Sequence, residues 1–314
     1  MIDTSTKSTG SIYSSLINQP IALLLITGIL LGFNFPLGKI SSQAGISPMI
    51  WAMIVSLGVC LMQFPLLVVR RQFNWPKGRM IRYVVISALF SFIAPNLLLF
   101  SVIPHAGAGY TGLMFALSPM FTLLLTLLFR VEIPNKIGLA GIAIGFLGAT
   151  IVGITRGSAP EAPSVIWIIA AMMIPVALAI GNVYRTLDWP EKASPESLAF
   201  WSHGFAVMFL LFLMFATKGS IPFNELAQAP QVAVVQMLIA GIMFSAFFRL
   251  QQKGGPVLLS QIGYVAAAVG LITATVLLGE SYSTMTWLGA LVVACGIAIT
   301  FVAEKNNLEK PRKS

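Results

Sequence analysis

The stretch PIALLLITGILLGFNFPLGK, residues 20–39, carries no charged side chain before its last residue, Lys39. A helix needs about 20 mostly apolar residues to cross the hydrocarbon core of a bilayer, and this stretch has that length. Further runs of the same kind follow along the rest of the chain. The sequence therefore predicts ten membrane-spanning helices, at 20–39, 48–69, 82–103, 107–129, 136–154, 164–185, 197–217, 231–249, 256–278 and 284–303.

The composition agrees with a chain that is mostly surrounded by lipid. Of the 314 residues, 9% are charged and 57% are hydrophobic, whereas about 25% of the residues in an average soluble domain are charged. These values exclude a soluble globular enzyme and a disordered chain. Two cysteines, Cys60 and Cys295, are too few for a disulfide framework or a zinc site. We expect no metal and no other cofactor.

The basic residues predict the orientation. With ten spans both termini lie on one side, and sixteen of the 19 Lys and Arg residues fall on that side. They lie in an N-terminal tail (1–19), in four connections and in a basic C-terminal tail (304–314). Since loops rich in Lys and Arg stay in the cytoplasm, we expect a multi-pass plasma-membrane protein with both termini inside. Orientation then accounts for the net charge of +9 without a nucleic-acid partner.

Several motifs occur twice, about 148 residues apart, and they predict an internal repeat. The repeats are 20–154 and 164–303, with five helices each. Because five is an odd number, the second repeat must be inverted in the membrane. Inverted repeats place a binding site near the midplane and work by alternating access. The matched pairs are Asn34 with Asn182, Ser47-Pro48 with Ser194-Pro195, Glu132 with Glu280, and Gly138 and Gly145 with Gly289 and Gly296.

These features resemble the drug/metabolite transporter superfamily, in particular its ten-helix EamA-type members. The resemblance implies a bacterial inner-membrane carrier, often an exporter of amino acids, related metabolites or xenobiotics. Its partners would be the lipid bilayer, a small-molecule substrate and a coupling proton or an exchanged solute. The residues that carry the resemblance are Gly32-Phe33-Asn34-Phe35-Pro36-Leu37-Gly38-Lys39, Ser47-Pro48, Ser118-Pro119, and Glu132 and Glu280, each followed by a glycine-rich helix.

Polar side chains inside the apolar runs are the candidates for substrate contact. A buried amide needs hydrogen-bond partners, which either a substrate or a neighbouring helix can supply. Aromatic walls with a few polar groups are typical of small-molecule sites, although aromatics near span ends, as at Tyr110 and Trp201, often anchor the membrane interface. The predicted substrate-binding residues are Asn34, Asn96, Ser118, Asn182, Gln261, Tyr264, Gln236, Trp201 and Tyr110.

Prolines and one histidine are candidates for moving parts. A proline within a span frees a backbone carbonyl and favours a kink, which serves either gating or structure alone. His203 lies well inside a span, and imidazole titrates near neutral pH, so it is a possible proton switch. The alternative is a neutral histidine that is hydrogen-bonded between helices. The predicted kinks or gates are at Pro36, Pro95, Pro119 and Pro175.

The remaining signals narrow the function. No Asp or Glu lies deep within a predicted span, which argues against a carboxylate proton relay and favours facilitated transport, solute exchange or coupling through another group. Small residues at steps of three and four, at Gly138, Gly141, Gly145 and Gly148, predict close helix packing. Arg249, at a span end, is expected to reach the lipid headgroups.

The leading hypothesis is therefore a carrier with alternating access. An intramembrane enzyme is the first alternative, and it would need a nucleophile with a base, or paired carboxylates, inside the bilayer. The sequence offers a single interior histidine and no interior acid, so we do not expect an enzyme. A channel or scaffold is the second alternative, and an inverted repeat with broken helices favours the carrier.

Overall fold

The computed structural model describes residues 19–131, 135–157 and 163–308, without the side chains of 152, 153, 156, 157, 301 and 303–308. Glu132, nearly all of the N-terminal tail and residues 309–314 lie outside the described residues. The described part is helical and contains no strand. The helices are α1 Pro20–Gln43, α2 Pro48–Val69, α3 Arg79–Ala106, α4 Ala108–Leu128, α5 Lys136–Gly157, α6 Val165–Leu187, α7 Pro195–Lys218, α8 Pro230–Ser260, α9 Ile262–Leu278 and α10 Thr284–Leu308, with a 3-10 helix at Phe223–Gln228.

The lengths and apolar surfaces of these helices suit a bilayer. Seven of them, α1 to α4 and α6 to α8, are long and apolar enough to cross a membrane. The remaining three, α5, α9 and α10, contain shorter apolar helices. Large apolar side chains face outward, as at Phe212, which is 68% exposed, and Val276, which is 74% exposed. The prediction of an all-helical membrane protein is confirmed.

Prolines determine where several helices begin. Proline suits the first turn because its φ is already helical and its missing N–H has no partner there. At the start of α7 the hydroxyl of Ser194 also accepts a hydrogen bond from the Ser197 N–H at 3.2 Å. The helices that begin on a proline are α1, α2, α7 and α8, at Pro20, Pro48, Pro195 and Pro230.

Helices α3 and α4 depart from regular α-helical geometry near their centres. Helix α3 contains a π-helical segment, Ala88–Ile93, that ends two residues before Pro95. Proline cannot donate to the carbonyl one turn earlier and its ring pushes against that carbonyl, which widens the preceding turn. Helix α4 is broken between Ala108–Phe115 and Ser118–Leu128. Both departures fall inside predicted spans.

The predicted span 256–278 is wrong as a single continuous helix. Helix α8 continues beyond its predicted end at 249, bends at Gly255 and ends at Ser260. Gly255 has φ of 69°, and Gly107, 148 residues earlier between α3 and α4, has φ of 90°. Positive φ is strained for any residue with a Cβ, so glycine permits both bends. The bend at Gly255 lies in the predicted connection between 249 and 256, whereas the break at Gln261 falls inside a predicted span and was missed.

The helices pack as two equivalent halves. Helix α1 contacts α8 and α9, and its repeat counterpart α6 contacts α3 and α4 in the corresponding way. Helices α2 and α7, α4 and α9, and α5 and α10 each contact their own counterpart. This is the pattern expected of a two-fold relation between two five-helix repeats.

The contact between α5 and α10 gives the relative direction of these counterparts. A Cβ placed on Gly141 would lie 2.6 Å from a side-chain carbon of Thr300, and one placed on Gly148 would lie 2.6 Å from the backbone nitrogen of Val293. Residue numbers therefore rise along α5 as they fall along α10, so the two helices are antiparallel, as inverted repeats require. The same distances confirm the close packing predicted for Gly141 and Gly148.

Candidate substrate cavity

A narrow cavity lies between the two repeats. Helices α1, α3, α4, α6, α8 and α9 form its wall. The space open to the centre of a water-sized sphere is about 40 Å³, which is enough for a few water molecules. Much of the wall is apolar, with Phe115, Phe244 and Phe247 among its residues. The polar residues of the wall are Thr27, Ser91, Asn96, Ser118, Asn182 and Ser260.

The breaks in the helices meet beside this cavity. A Cβ on Gly263, just after the break at Gln261, would lie 2.2 Å from the carbonyl oxygen of Phe115 at the break in α4. Glycine therefore permits the direct approach of one broken helix to the other. Ser118 and Ser260, which flank the two breaks, both line the cavity. Irregular backbone at membrane depth is typical of segments that border a cavity.

Asn34 and Gln236 form a buried amide pair between α1 and α8. The Gln236 Nε2 group donates to Asn34 Oδ1 at 2.5 Å, and Asn34 Nδ2 lies 3.7 Å from the sulfur of Met243. Met243 lines the cavity, but the two amides lie behind the wall. Gln236 Oε1 is buried without a hydrogen-bond partner among the described residues.

Asn182, the repeat counterpart of Asn34, lies on the cavity wall. Its Oδ1 accepts a hydrogen bond from Arg185 Nη2 at 2.8 Å, and its Nδ2 donates to Thr122 Oγ1 at 3.4 Å. The two repeat-related asparagines therefore have different partners, an amide at Asn34 and a guanidinium at Asn182.

Arg185 was not among the predicted site residues, although its side chain is fully buried. It is the last residue of the predicted span 164–185 and was therefore grouped with the basic residues of the following connection. The structure extends α6 to Leu187 and turns Arg185 inward. One signal was present in the sequence, because Arg185 follows Asn182 by three residues and shares its helical face.

His203 is fully buried among aromatic side chains. Its ring stacks on Phe92, with centroids 4.1 Å apart, and lies 4.2 Å from the ring of Phe244. Its Nδ1 forms a hydrogen bond of 3.2 Å with Ser56 Oγ, while Nε2 has no partner among the described residues. Phe244 lines the cavity and thus separates the imidazole from it.

Other predicted residues also lie at or near the cavity. Asn96 lines the cavity on α3, one residue after Pro95. Ser118 lines it beside the break in α4. Gln261 is buried at the second break, where its Oε1 has no partner among the described residues.

Tyr264 packs between helices instead of lining the cavity. Its hydroxyl donates to the carbonyl oxygen of Ile142 at 3.1 Å. A Cβ on Gly145 would lie 2.5 Å from the Tyr264 ring, so the ring fills the space that this glycine leaves open. Although Tyr264 and Gln261 share a helical face, neither is among the residues that line the cavity.

The two aromatics predicted near span ends also lie off the cavity wall. Trp201 donates from Nε1 to the carbonyl oxygen of Asn74 at 3.0 Å and packs against Trp75, with ring centroids 5.0 Å apart. Tyr110 belongs to a buried apolar cluster that includes Leu113. Trp201 thus fits the alternative of an aromatic anchor at the end of the bundle.

The four predicted proline positions differ in their surroundings. Pro95 lines the cavity directly after the π-helical segment of α3, and Pro119 follows the break in α4. Pro36 and Pro175 lie inside helices that continue on both sides of them. Two of the four prolines, Pro95 and Pro119, therefore lie next to irregular backbone near the cavity.

Ion pairs connect helices at the Arg-rich face of the bundle. Asp188, just after α6, accepts from Arg79 Nε at 2.7 Å, from Arg82 Nη2 at 2.6 Å and from the Tyr184 hydroxyl at 2.6 Å. The pKa of Asp188 is lowered to about 2, mainly by the hydrogen bond from Arg82. Burial alone would raise this pKa.

A second ion-pair cluster corrects the prediction for Arg249. The guanidinium of Arg249 donates to Glu196 at 2.8 Å, and Arg70 lies 3.3 Å from the same carboxylate. Because Glu196 is buried and close by, Arg249 binds it instead of extending to the lipid headgroups. Helices α2, α7 and α8 are thus joined at this face.

Glu280 occupies the opposite face. Its carboxylate accepts hydrogen bonds from the backbone N–H groups of Ala108 at 3.0 Å and Gly109 at 3.2 Å, at the start of α4. A negative charge is stabilised at the N-terminus of a helix. Glu280 therefore serves α4 as a cap. The described residues contain no group of three His, Cys, Asp or Glu side chains that could hold a metal ion.

Comparison with known proteins agrees with this architecture. A model of the EamA-like transporter family matches the chain twice, over residues 18–154 and 163–302. A probable terminal-alkyne amino-acid exporter of Streptantibioticus cattleyicolor is 26% identical over 220 residues, 67% of this chain and 68% of that protein. The uncharacterized transporter YxxF of Bacillus subtilis is 26% identical over 197 residues, 60% of each protein.

A solved structure shares the fold. It is described only as the crystal structure of a protein, and it aligns with a TM-score of 0.64 at 20% identity. The alignment covers 92% of this chain and 98% of that chain. The double family match accounts for the duplicated motifs, the two-fold packing and the apolar helices. The chain belongs to the EamA-like transporter family.

Proposed function

We propose that this protein is a secondary transporter that exports a small metabolite, an amino acid or a related compound, by alternating access. The observation that carries the proposal is the cavity between the repeats, where polar side chains from both repeats face a largely apolar wall. Such walls are typical of sites for small molecules. The relative named as an amino-acid exporter supports the substrate class and the direction.

The proposed transport cycle includes a conformation in which the cavity is too narrow for the substrate, and we assign this structure to that closed conformation. The space open to the centre of a water-sized sphere, about 40 Å³, is enough for only a few water molecules, so we infer that the repeats move apart before an amino acid enters. Ion pairs at Asp188 and Glu196 join helices at one face, and Glu280 joins α9 to α4 at the other. Opening would break one set of contacts at a time.

In the proposed arrangement all ten helices cross the inner membrane, with both termini and the Arg-rich face in the cytoplasm. The cavity wall contributes no carboxylate from the described residues, so we infer facilitated transport or solute exchange. His203 is the remaining candidate for proton coupling, and the ring of Phe244 separates it from the cavity.

Counterflow in proteoliposomes tests the function. Purified protein is reconstituted and screened with amino acids, purines and cationic drugs, with and without a pH gradient. We expect counterflow of at least one amino acid. Asn96→Ala and Asn182→Ala should raise its half-saturation concentration about 3- to 10-fold, the effect of one lost hydrogen bond.

The matched control is Asn224→Ala, which removes the same side chain from an exposed position in the 3-10 helix. It should transport like the wild type. Absence of counterflow for every solute in the panel, from protein that elutes as a single folded species, would contradict the carrier. Normal counterflow in both cavity variants would contradict the site instead.

A further inference from the structure

Arg185 carries a positive charge into the interior of the helical bundle. Its side chain has no exposed surface, although α6 is among the helices long and apolar enough to cross a membrane. An ionisable residue in such a place is costly, and it is usually retained for a function. The functional site proposed above, formed by cavity-lining side chains, leaves this charge unexplained.

No carboxylate compensates the charge within the described part of the chain. Asp188 and Glu196 lie nearby in sequence, but each accepts hydrogen bonds from other arginines. Glu225 lies 3.8 Å from Lys218, and Glu280 caps α4. Glu191 is exposed. The guanidinium therefore has only neutral neighbours.

Neutral oxygen atoms and aromatic rings hold the guanidinium in place. Gln251 Oε1 accepts from both Nε and Nη2, at 3.2 and 3.1 Å. The rings of Phe247 and Phe92 lie 4.8 and 5.7 Å from the guanidinium carbon. These contacts orient the planar guanidinium but supply no negative charge. Because no carboxylate neutralises the guanidinium, it remains able to bind an anionic ligand.

The edge of the guanidinium that carries Nη1 and Nη2 points toward the cavity. Nη1 donates to the Ser91 hydroxyl and Nη2 donates to Asn182 Oδ1. Ser91 and Asn182 both line the cavity, so one layer of side chains separates the charge from it. Two parallel N–H donors on one edge match the two oxygens of a carboxylate.

We propose that Arg185 binds the carboxylate of the transported solute, and that the solute is a monocarboxylate with a small apolar body, amino acids of this kind included. This inference rests on the proposed carrier function. The carboxylate takes the place of the Ser91 hydroxyl on Nη1 and of Asn182 Oδ1 on Nη2, and the Asn182 Nδ2 group then donates a hydrogen bond to the solute. The apolar body then lies against the part of the wall formed by Leu178, Phe244 and other apolar side chains.

Matched ligands test the charge requirement in the wild-type protein. The probes are 4-methylpentanoate, its uncharged amide 4-methylpentanamide, L-leucine and L-leucinamide. Binding to the purified full chain is measured by isothermal titration, and counterflow is measured in proteoliposomes. We expect at least one of the two acids to bind and to be exchanged. The corresponding amide should bind about 10- to 100-fold more weakly, because the charged hydrogen bonds are lost.

Variants at Arg185 locate the interaction. Arg185→Gln should weaken binding of the acid about 10- to 100-fold and leave the weak binding of the amide unchanged. Arg185→Lys should restore part of the affinity, because an ammonium keeps the charge but not the two-pronged geometry. Arg130→Gln, at an exposed arginine after α4, is the control and should bind the acid like the wild type.

Each outcome bears on the proposal. Equal affinity for acids and amides, exchange of purines or cationic drugs without the acids, or normal acid binding by Arg185→Gln would overturn the role of Arg185 and leave the carrier intact. Acid binding that depends on Arg185 without counterflow would support the site and contradict the carrier. No binding and no counterflow for any solute contradicts both. If the variants do not fold, the acid–amide comparison in the wild type still decides the charge requirement.

Discussion

The side chains of Asn34 and Gln236 join α1 to α8 through one buried hydrogen bond of 2.5 Å. Hydrogen bonds between membrane helices contribute about 0.6–2 kcal/mol to stability, so each amide alone is a modest element of the fold. An amide that loses its partner, however, stays buried and unpaired. The pair should therefore behave as a unit.

A double-mutant cycle tests this coupling. Asn34→Leu and Gln236→Leu should each destabilise the protein, while the double variant should lose less than the sum, with a coupling energy of about 0.6–2 kcal/mol. Reversible unfolding in mixed micelles provides the free energies. Strictly additive losses would show that the two amides act independently, for example through separate contacts with lipid or water.

At the scale of helices, α5 and α10 are in contact through their glycines. Gly148→Ala would place a methyl group 2.6 Å from a backbone nitrogen, which must displace one helix, and we expect a loss of about 1–3 kcal/mol. Gly204→Ala is the matched control, since its nearest neighbour, the Cys60 sulfur, would be 4.0 Å away. Thermal unfolding in one detergent compares the two. Equal midpoints would refute the tight contact between α5 and α10.

The Asp188 cluster connects α3 and α6 and predicts a specific pH dependence. The pKa of Asp188 falls from an ordinary value of 3.8 to about 2 in the folded protein. Its stabilising effect is thus complete above about pH 4 and disappears as the pH falls toward 2. Asp188→Asn should lower the unfolding midpoint by the same amount from pH 8 to pH 5, with Glu191→Gln, at an exposed site, as control. A difference that vanished between pH 7 and 5 would contradict this assignment.

For the whole molecule, the distribution of basic residues predicts cytoplasmic termini, and alternating crossings predict the side of every connection. Alkaline phosphatase, which is active outside the cytoplasm, should be active when fused after Gly45 or Gly219. It should be inactive when fused after Gln72, Lys192 or Leu308. A fluorescent protein that folds only in the cytoplasm should give the opposite pattern. If both reporters place any one of these sites on the side opposite to the predicted one, the topology is wrong.

The sequence by itself determined the apolar helices, the internal repeat and the family. Helix length and hydrophobicity are local properties, and a duplicated motif such as Asn34 and Asn182 is visible without any contact information. The same is true of Pro20 and Pro48, which start helices because of their own covalent geometry. These features could be predicted because neighbouring residues are enough to cause them.

Only the tertiary structure decided which polar groups meet. Asn182 lies on the cavity wall, whereas Asn34 lies behind it, although the two occupy matching positions in the repeats. Arg185 was assigned to a connection from the sequence, and contacts with α3 and α8 make it a buried cation. Tyr264 fills the space beside Gly145 on α5. Burial and pairing depend on helices that are far apart in sequence, so hydropathy and spacing along one helix could not reveal them.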